Sequence, residues 1–342
     1  MLRHASRSFW LSLGAATFSF LSQALALEPP ALKDQGSFFI NGEVVRSENP
    51  GGEAPAGRVI INQMYVEYAV PKKQKLGALP IIMVHGSGHT GKTYDITPDG
   101  REGWKQHFLR KGYTVYVIDH AGRARSGWNP ESINQAQTKN DASLIPKGGI
   151  IQFTYERAWS VFRFGPKPDE WWPDSKFPQK YLDQYMAQLV PNTEVTLKQP
   201  QKTVQALVAL LDKIGPAMVM VHSQSGTYGT QTALARPDLV KTLISVEGRS
   251  GCGLSPEQAK TMTRLAWLNV AGDHGWNGEE ECRKAAAQVA SLGGKSAFMA
   301  TYVKGVRGNT HMMMMDVNNL QVADWILEWI EKNTAKVQRA AK

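Results

Sequence analysis

Cysteine is scarce in this sequence, and long apolar runs are missing beyond its first 26 residues. Its two cysteines, Cys252 and Cys282, are too few for a disulfide-rich scaffold, and neither has a second ligand at zinc spacing. No later stretch approaches about 18 uninterrupted apolar residues, so we expect no permanent membrane span. The net charge is +9, but the basic residues are scattered, which argues against nucleic acid as a partner.

The first 26 residues have the layout of a cleaved secretory signal. Arg3 and Arg7 precede an apolar run over 9–21, and the small-x-small site at 24–26 follows. An uncleaved membrane anchor is the alternative. Cleavage would remove two arginines and no acidic residue, leaving a net charge of +7.

Export would place Cys252 and Cys282 in an oxidising compartment. We therefore expect one disulfide between them, with two free buried thiols as the alternative. The expected location is secreted or periplasmic, and a soluble mature protein is expected.

Strand and helix patterns alternate from residue 80 to the end, which predicts an α/β fold with a mostly parallel sheet covered by helices on both faces. Earlier segments at 31–49 and 59–70 are expected to be extended and to form an antiparallel edge. Strands are expected at 80–84, 114–118, 217–221, 240–246, 265–270 and 296–303, and helices at 104–110, 204–214, 279–292 and about 320–333.

The alternation is interrupted over residues 128–200, which hold 8 of the 18 prolines and 11 of the 31 aromatic residues. A structureless loop of this length is improbable in a compact domain. We predict an inserted cap here, between core segments 27–127 and 201–342. The aromatic residues either wall a substrate pocket or form the core of the cap itself; they are Phe153, Tyr155, Trp159, Phe162, Phe164, Trp171 and Trp172.

Residues 221–226 (VHSQSG) follow a buried strand and open a helix, which predicts a nucleophile turn with Ser223 exposed at its tip. Val221 stands where such turns usually carry a small residue. Ser225 is a rival nucleophile. The strand pattern ends at Val221, however, which places Ser223 in the turn and Ser225 at the start of the helix.

A glycine-rich loop at 85–91 follows the strand that ends at Val84. Its backbone can present the N–H of Ser87 to a substrate carbonyl, and together with the N–H of Gln224 this would form an oxyanion hole. Residues 86–93 also spell a phosphate-binding loop. We discount that alternative because export separates the protein from ATP.

The general base is expected to be His311, which lies between the last strand and the last helix. His274 is the runner-up. Two acids that end successive strands, Glu247 and Asp273, compete to orient the histidine, with a mild preference for Glu247.

These motifs make the chain resemble the α/β-hydrolase superfamily over residues 60–333. Residues 119–126 resemble that superfamily's Asp-x-x-Gly-x-Gly-x-Ser loop, with Ala124 in place of a glycine. The usual acid of the superfamily would fall at Gly275, so the acid must come from elsewhere.

More narrowly, the chain resembles a small group of secreted bacterial esterases with an atypical α/β-hydrolase structure. The matching stretches are 97–101, 162–166, 222–226, 245–247 and 311–314. The resemblance implies a Ser-Glu-His triad of Ser223, Glu247 and His311. One departure is Ser87-Gly88, which stands where that group carries adjacent cysteines, so its vicinal disulfide cannot form here.

The expected activity is hydrolysis of small carboxylic esters through an acyl-enzyme, with no cofactor. A lactonase or amidase would use the same triad, and a non-catalytic binding protein on the same scaffold is a further alternative. The four methionines 312–315 are expected to pack at the pocket floor rather than bind copper.

Overall fold

The computed structural model describes residues 28–147, 149–196 and 199–334 of the chain. The predicted signal segment, residues 1–26, lies outside the described residues. Within the described ranges, no helix is long and apolar enough to cross a membrane.

A central sheet organises the described part of the chain. The strands are β1 (Leu32–Ile40), β2 (Glu43–Ser47), β3 (Gly57–Ile61), β4 (Met64–Pro71), β5 (Ile81–Val84), β6 (Val115–Ile118), β7 (Ala217–His222), β8 (Val240–Val246), β9 (Ala266–Ala271) and β10 (Lys295–Ala300). Eight of these strands form one sheet in the order β1-β4-β6-β5-β7-β8-β9-β10. The pairs from β6 to β10 are parallel, and β1 and β4 add the antiparallel edge. The α/β prediction is confirmed.

Helices cover both faces of this sheet. They are α1 (Trp104–Arg110), α2 (Glu131–Lys139), α3 (Tyr155–Phe162), α4 (Leu182–Met186), α5 (Thr193–Thr196), α6 (Gln201–Ile214), α7 (Gly226–Ala235), α8 (Pro256–Met262), α9 (Glu279–Ser291) and α10 (Asn319–Asn333). Short 3-10 turns join several of them, including Ser223–Ser225 and Arg249–Gly251.

The core has two layers because successive residues of a buried strand point to opposite faces of the sheet. Met218 and Met220 of β7 pack with α1 and α10, whereas Val219 and Val221 pack with α6 and α7. All six residues of β7 are buried. β7 therefore packs against both layers, which fixes the position of the turn Ser223–Ser225 that follows it.

One early segment differs from its prediction. The extended stretch expected over 31–49 breaks at Asn41 and Gly42, which both have positive φ, of 58° and 94°. The second half, β2, pairs antiparallel with β3 in a separate two-stranded sheet. Asn-Gly is a strong turn signal, and it was present in the sequence.

The predicted disulfide between Cys252 and Cys282 is present. It ties the end of the turn Arg249–Gly251, which follows β8, to the first turns of α9. The described part of the chain holds no free cysteine.

Residues 128–200 (hereafter the insert) lie between β6 and α6. They form α2 to α5 and short turns, and the described part of this segment contains no strand of the sheet. This agrees with the loss of strand–helix alternation in the sequence.

Candidate active site

Ser223 is the first residue after β7 and has a left-handed backbone, with φ of 55°. This conformation is uncommon for any residue other than glycine and marks a strained turn. The 3-10 turn Ser223–Ser225 continues directly into α7. The start of a helix carries a partial positive charge, which favours negative charge near Ser223.

Small residues permit this sharp turn. A methyl group on Gly86 would lie 2.9 Å from Ser223 Cβ, and one on Gly226 would lie 2.2 Å from the carbonyl oxygen of Gly248. The unusual Val221 fits because α7 carries Gly229 opposite it, where a Cβ would lie 2.7 Å from the valine side chain. In the usual motif, a small residue at position 221 leaves room for the tight turn. Here Gly229 leaves that room instead.

Ser225, the rival nucleophile, is fully buried. Its hydroxyl donates to the carbonyl oxygen of His85 and lies 2.8 Å from Nε2 of His120. These contacts hold the glycine-rich loop 85–91 against the start of α7 and leave the hydroxyl no access to a substrate.

The structure brings Ser223, His311 and Glu247 into one hydrogen-bonded chain. Nε2 of His311 lies 2.8 Å from Ser223 Oγ, and Nδ1 bonds to Oε2 of Glu247. Glu247 is the first residue after β8 and, like Ser223, has a positive φ, of 48°. Two adjacent parallel strands therefore end in the same kind of turn and place their side chains at one edge of the sheet.

Glu247 is buried, and its carboxylate accepts hydrogen bonds from other groups besides His311. Both nitrogens at the end of Arg163 donate to its two oxygens, and Gly272 N donates to Oε1 at 2.7 Å. Burial alone would raise the pKa of Glu247, but the charges of Arg163 and His311 outweigh burial and hold it well below its usual value. The carboxylate is therefore ionised across the ordinary pH range.

The competing acid and base lie elsewhere. The carboxylate of Asp273 accepts from the N–H groups of His274 and Gly308 and pairs with Arg307 at 3.3 Å. His274 stacks on a tryptophan of the insert and lies 3.0 Å from the carboxylate of Asp174. Neither residue reaches the Ser223–His311 pair.

The glycine-rich loop 85–91, the expected oxyanion loop (hereafter the oxyanion loop), is held by polar side chains of other segments. Asn192 Oδ1 accepts from Gly88 N at 2.7 Å, and its Nδ2 donates to Ser87 Oγ at 2.6 Å. The N–H of Ser87 has no acceptor in the described part of the chain. This leaves it available to a substrate oxygen.

The phosphate-loop alternative has no support in this geometry. A carboxylate of Asp119 already accepts from Gly91 N at 2.7 Å, where a phosphate would have to bind. Lys92 donates instead to the carbonyl oxygen of Ile96. The sequence matches the spelling of that motif, but a carboxylate at the loop repels an anion.

Sequence reasoning missed a buried ion pair beneath this loop. Arg123 and Glu194 are both buried and paired, and Arg123 also donates to the carbonyl oxygen of Gly86 at 2.9 Å and to Gln224 Oε1 at 3.2 Å. Burial alone would raise the pKa of Glu194, but the neighbouring His120 ring and the charge of Arg123 lower it to about 2. Arg123 lies in the resembling 119–126 stretch, but nothing in the sequence pointed to Glu194 or Asn192.

A cavity of about 650 Å³ opens over Ser223. It is lined by Ser160, Val161, Arg163, Ser223, Gln224, Glu247, Arg249, Ser250, Gly275, Trp276, Asn277, Glu281 and His311. None of the seven aromatic residues singled out in the insert lines it. Most pack against one another, as the ring contacts of Phe164 with Trp159, Trp171 and Phe177 illustrate.

The four methionines 312–315 are buried in the same layer as these aromatic residues. They pack in the core, but they do not line this cavity, so the expectation that they form the pocket floor was wrong for this space.

Comparison with known proteins gives two informative relatives. The structure of a bacterial esterase matches with a TM-score of 0.82 and 38% sequence identity, over 90% of this chain and 98% of that one. A probable secreted lipase of a fungal species (strain ATCC 74256) is 29% identical, over 79% of this chain and 86% of the relative. No protein-family model matches the chain.

Proposed function

Because the chain belongs to the α/β-hydrolase superfamily and resembles bacterial esterases, we propose that it hydrolyses carboxylic esters through an acyl-enzyme on Ser223. The observation that carries the proposal is the hydrogen-bonded chain from Ser223 through His311 to Glu247, which lies open to the cavity. This is the arrangement of nucleophile, base and acid that acyl transfer requires.

In the first half of the reaction, Ser223 Oγ attacks the ester carbonyl while Nε2 of His311 takes its proton. The carbonyl oxygen becomes an anion, which the N–H groups of Ser87 and Gln224 stabilise. Glu247 accepts the Nδ1–H bond and stabilises the imidazolium. His311 then returns the proton to the alcohol oxygen, the ester bond breaks, and the acyl group stays on Ser223.

In the second half, water replaces the alcohol. His311 takes a proton from the water as the water oxygen attacks the acyl carbonyl, and it returns that proton to Ser223 Oγ as the acid leaves. Both halves use the same oxyanion site.

We also propose that residues 1–26 are an export signal and that the insert acts as a cap. The disulfide and the secreted relative support export to an oxidising compartment. The insert supplies Ser160, Val161 and Arg163 to the cavity wall, which supports the role of a cap.

Replacing the nucleophile tests this function. Ser223→Ala should lower p-nitrophenyl butyrate turnover by several orders of magnitude with the fold intact, because the acyl acceptor is gone. A fluorophosphonate probe should label the wild type and fail to label this variant. Ser225→Ala is the matched control and should still be labelled, since its hydroxyl is buried. Labelling or full turnover in Ser223→Ala would contradict the proposal.

A further inference from the structure

One side chain of the insert is in direct contact with the acid of the triad. We propose that Arg163 is a positioning residue for the Glu247–His311 pair and that its charge sets the acidic limit of activity; this rests on the function proposed above. The role joins the insert to the chemistry, beyond forming a wall of the cavity.

The guanidinium of Arg163 is held on three sides. Nη1 donates to Glu247 Oε2 at 2.7 Å and Nη2 donates to Oε1, a fork-to-fork geometry that fixes the plane of the carboxylate. Nε donates to the carbonyl oxygen of Asp273 at 2.9 Å, which anchors the arginine to the end of β9. Only 12% of the side chain is exposed.

The neighbouring residue holds the histidine. The carbonyl oxygen of Phe162 accepts from His311 N at 3.0 Å, and its ring stacks on the imidazole with 5.8 Å between centroids. Arg163 itself ends α3 in a left-handed conformation, with φ of 57°. This strained helix end therefore contacts both partners of the Glu247–His311 pair.

The charge of Arg163 has a separate consequence. An anionic Glu247 favours the imidazolium form of His311, and an adjacent cation weakens that effect. Removing the cation should move the acidic limit of activity upward.

Other charged or titratable groups surround the pair without duplicating this contact; they are His89, His222, Asp316, and the Arg249–Glu281 pair at the cavity wall. Burial lowers the pKa of His222 well below its usual value and that of His89 to about 3, so both rings are neutral. Arg163 is the permanent cation bonded to Glu247 in the described part of the chain.

Three variants separate position from charge. Arg163→Gln removes the charge, Arg163→Lys keeps it without the fork, and Arg157→Gln removes a charge from an exposed residue of the same helix. For each, kcat, KM and the pH–rate profile are measured, together with the pH titration of the low-field Nδ1 proton of His311 by NMR.

We expect Arg163→Gln to lower kcat at least about tenfold with little change in KM, and to move the acidic limb of the profile up by about one pH unit. The Nδ1 proton titration should move in the same direction. Arg163→Lys should lower kcat while its acidic limb stays in place. Arg157→Gln should match the wild type.

A folded Arg163→Gln protein with an unshifted acidic limb and titration would overturn the charge role, even if kcat fell. If that variant does not fold, wild-type kcat or a shifted limb in Arg163→Lys would overturn the proposal. Failure of the function itself looks different, since the wild type would then neither turn over esters nor react with fluorophosphonate. The NMR comparison still tests Arg163 in that case.

Discussion

At the scale of single residues, the candidate site depends on two strained positions. Ser223 and Glu247 both follow a parallel strand and both have a positive φ. Each costs on the order of 1–2 kcal/mol relative to a relaxed backbone. The strain lifts both side chains above the sheet edge, where His311 lies between them.

Replacing each of the two acids by its amide, one at a time, tests which acid orients His311. Glu247→Gln should lower kcat by about 10³-fold or more, since it removes the anion that stabilises the imidazolium. Asp273→Asn should leave kcat within about tenfold, because that carboxylate binds the loop at Gly308 instead. Thermal unfolding of both variants checks that they fold. The reverse ranking would assign the role to Asp273.

The sequence could only favour Glu247 mildly, since both acids end consecutive strands. The two acids differ in the groups that contact each carboxylate. Gly272 N and Arg163 turn toward Glu247, whereas Arg307 and Gly308 turn toward Asp273. Such choices depend on how loops return to the sheet edge, and strand order alone does not determine that.

At the scale of elements, the end of the insert acts as a strap across the oxyanion loop. Val190 N donates to the carbonyl oxygen of Gly88, and the Asn192 side chain binds Gly88 and Ser87. Two residues further on, Glu194 pairs with Arg123, which holds Gly86. These bonds hold the loop from the side of the insert.

Loss of the Asn192 amide should loosen this loop. Asn192→Ala is expected to lower kcat by about 10- to 100-fold with a smaller change in KM, because a displaced Ser87 N–H stabilises the oxyanion less well. Asn134→Ala is a matched control, since that amide of the insert binds the Asn49 carbonyl oxygen instead. Steady-state kcat and KM, measured for both variants, test this expectation. An unchanged kcat in Asn192→Ala would show that the loop is rigid without the strap.

The insert makes contacts that its sequence pattern does not predict. Its prolines and aromatic residues predicted a segment outside the strand–helix alternation, and that segment does form helices apart from the sheet. The contacts of Asn192 with Ser87 and Gly88 join residues more than 100 positions apart. A periodic pattern carries no information on such pairs, because only the folded chain brings them together.

At the scale of the whole molecule, the order of strands and helices from β5 onward followed from apolar patterning, since each parallel strand is a short buried run. The prediction for the early strands fits less well, because a turn at Asn41 and Gly42 separates β1 from β2 within a segment that the sequence pattern predicts to be extended.

The fold gathers four histidines, His85, His89, His120 and His222, around the turn at Ser223. All four are buried.

These histidines should make the protein sensitive to acid. Burial lowers the pKa of all four, in the case of His89 from 6.5 to about 3. The unfolded chain therefore binds protons below pH 6.5 that the folded protein does not, so stability falls as pH falls from 6.5 toward 3. Each such histidine contributes at most about 1.4 kcal/mol per pH unit. Asp316 opposes the trend, since burial raises its pKa to about 6.

Urea unfolding between pH 8 and pH 4 measures this directly. The free energy of unfolding should be nearly constant above pH 7 and decline below about 6.5, because protons then bind the unfolded state preferentially. His89→Gln should flatten the decline by about one proton, since Gln does not titrate. His107→Gln serves as the control, because His107 on α1 faces the carboxylates of Glu102, just before α1, and Asp324 on α10, away from the cluster. A wild-type stability that stays constant down to pH 5 would contradict the argument, because four neutral buried rings cannot coexist with such a profile.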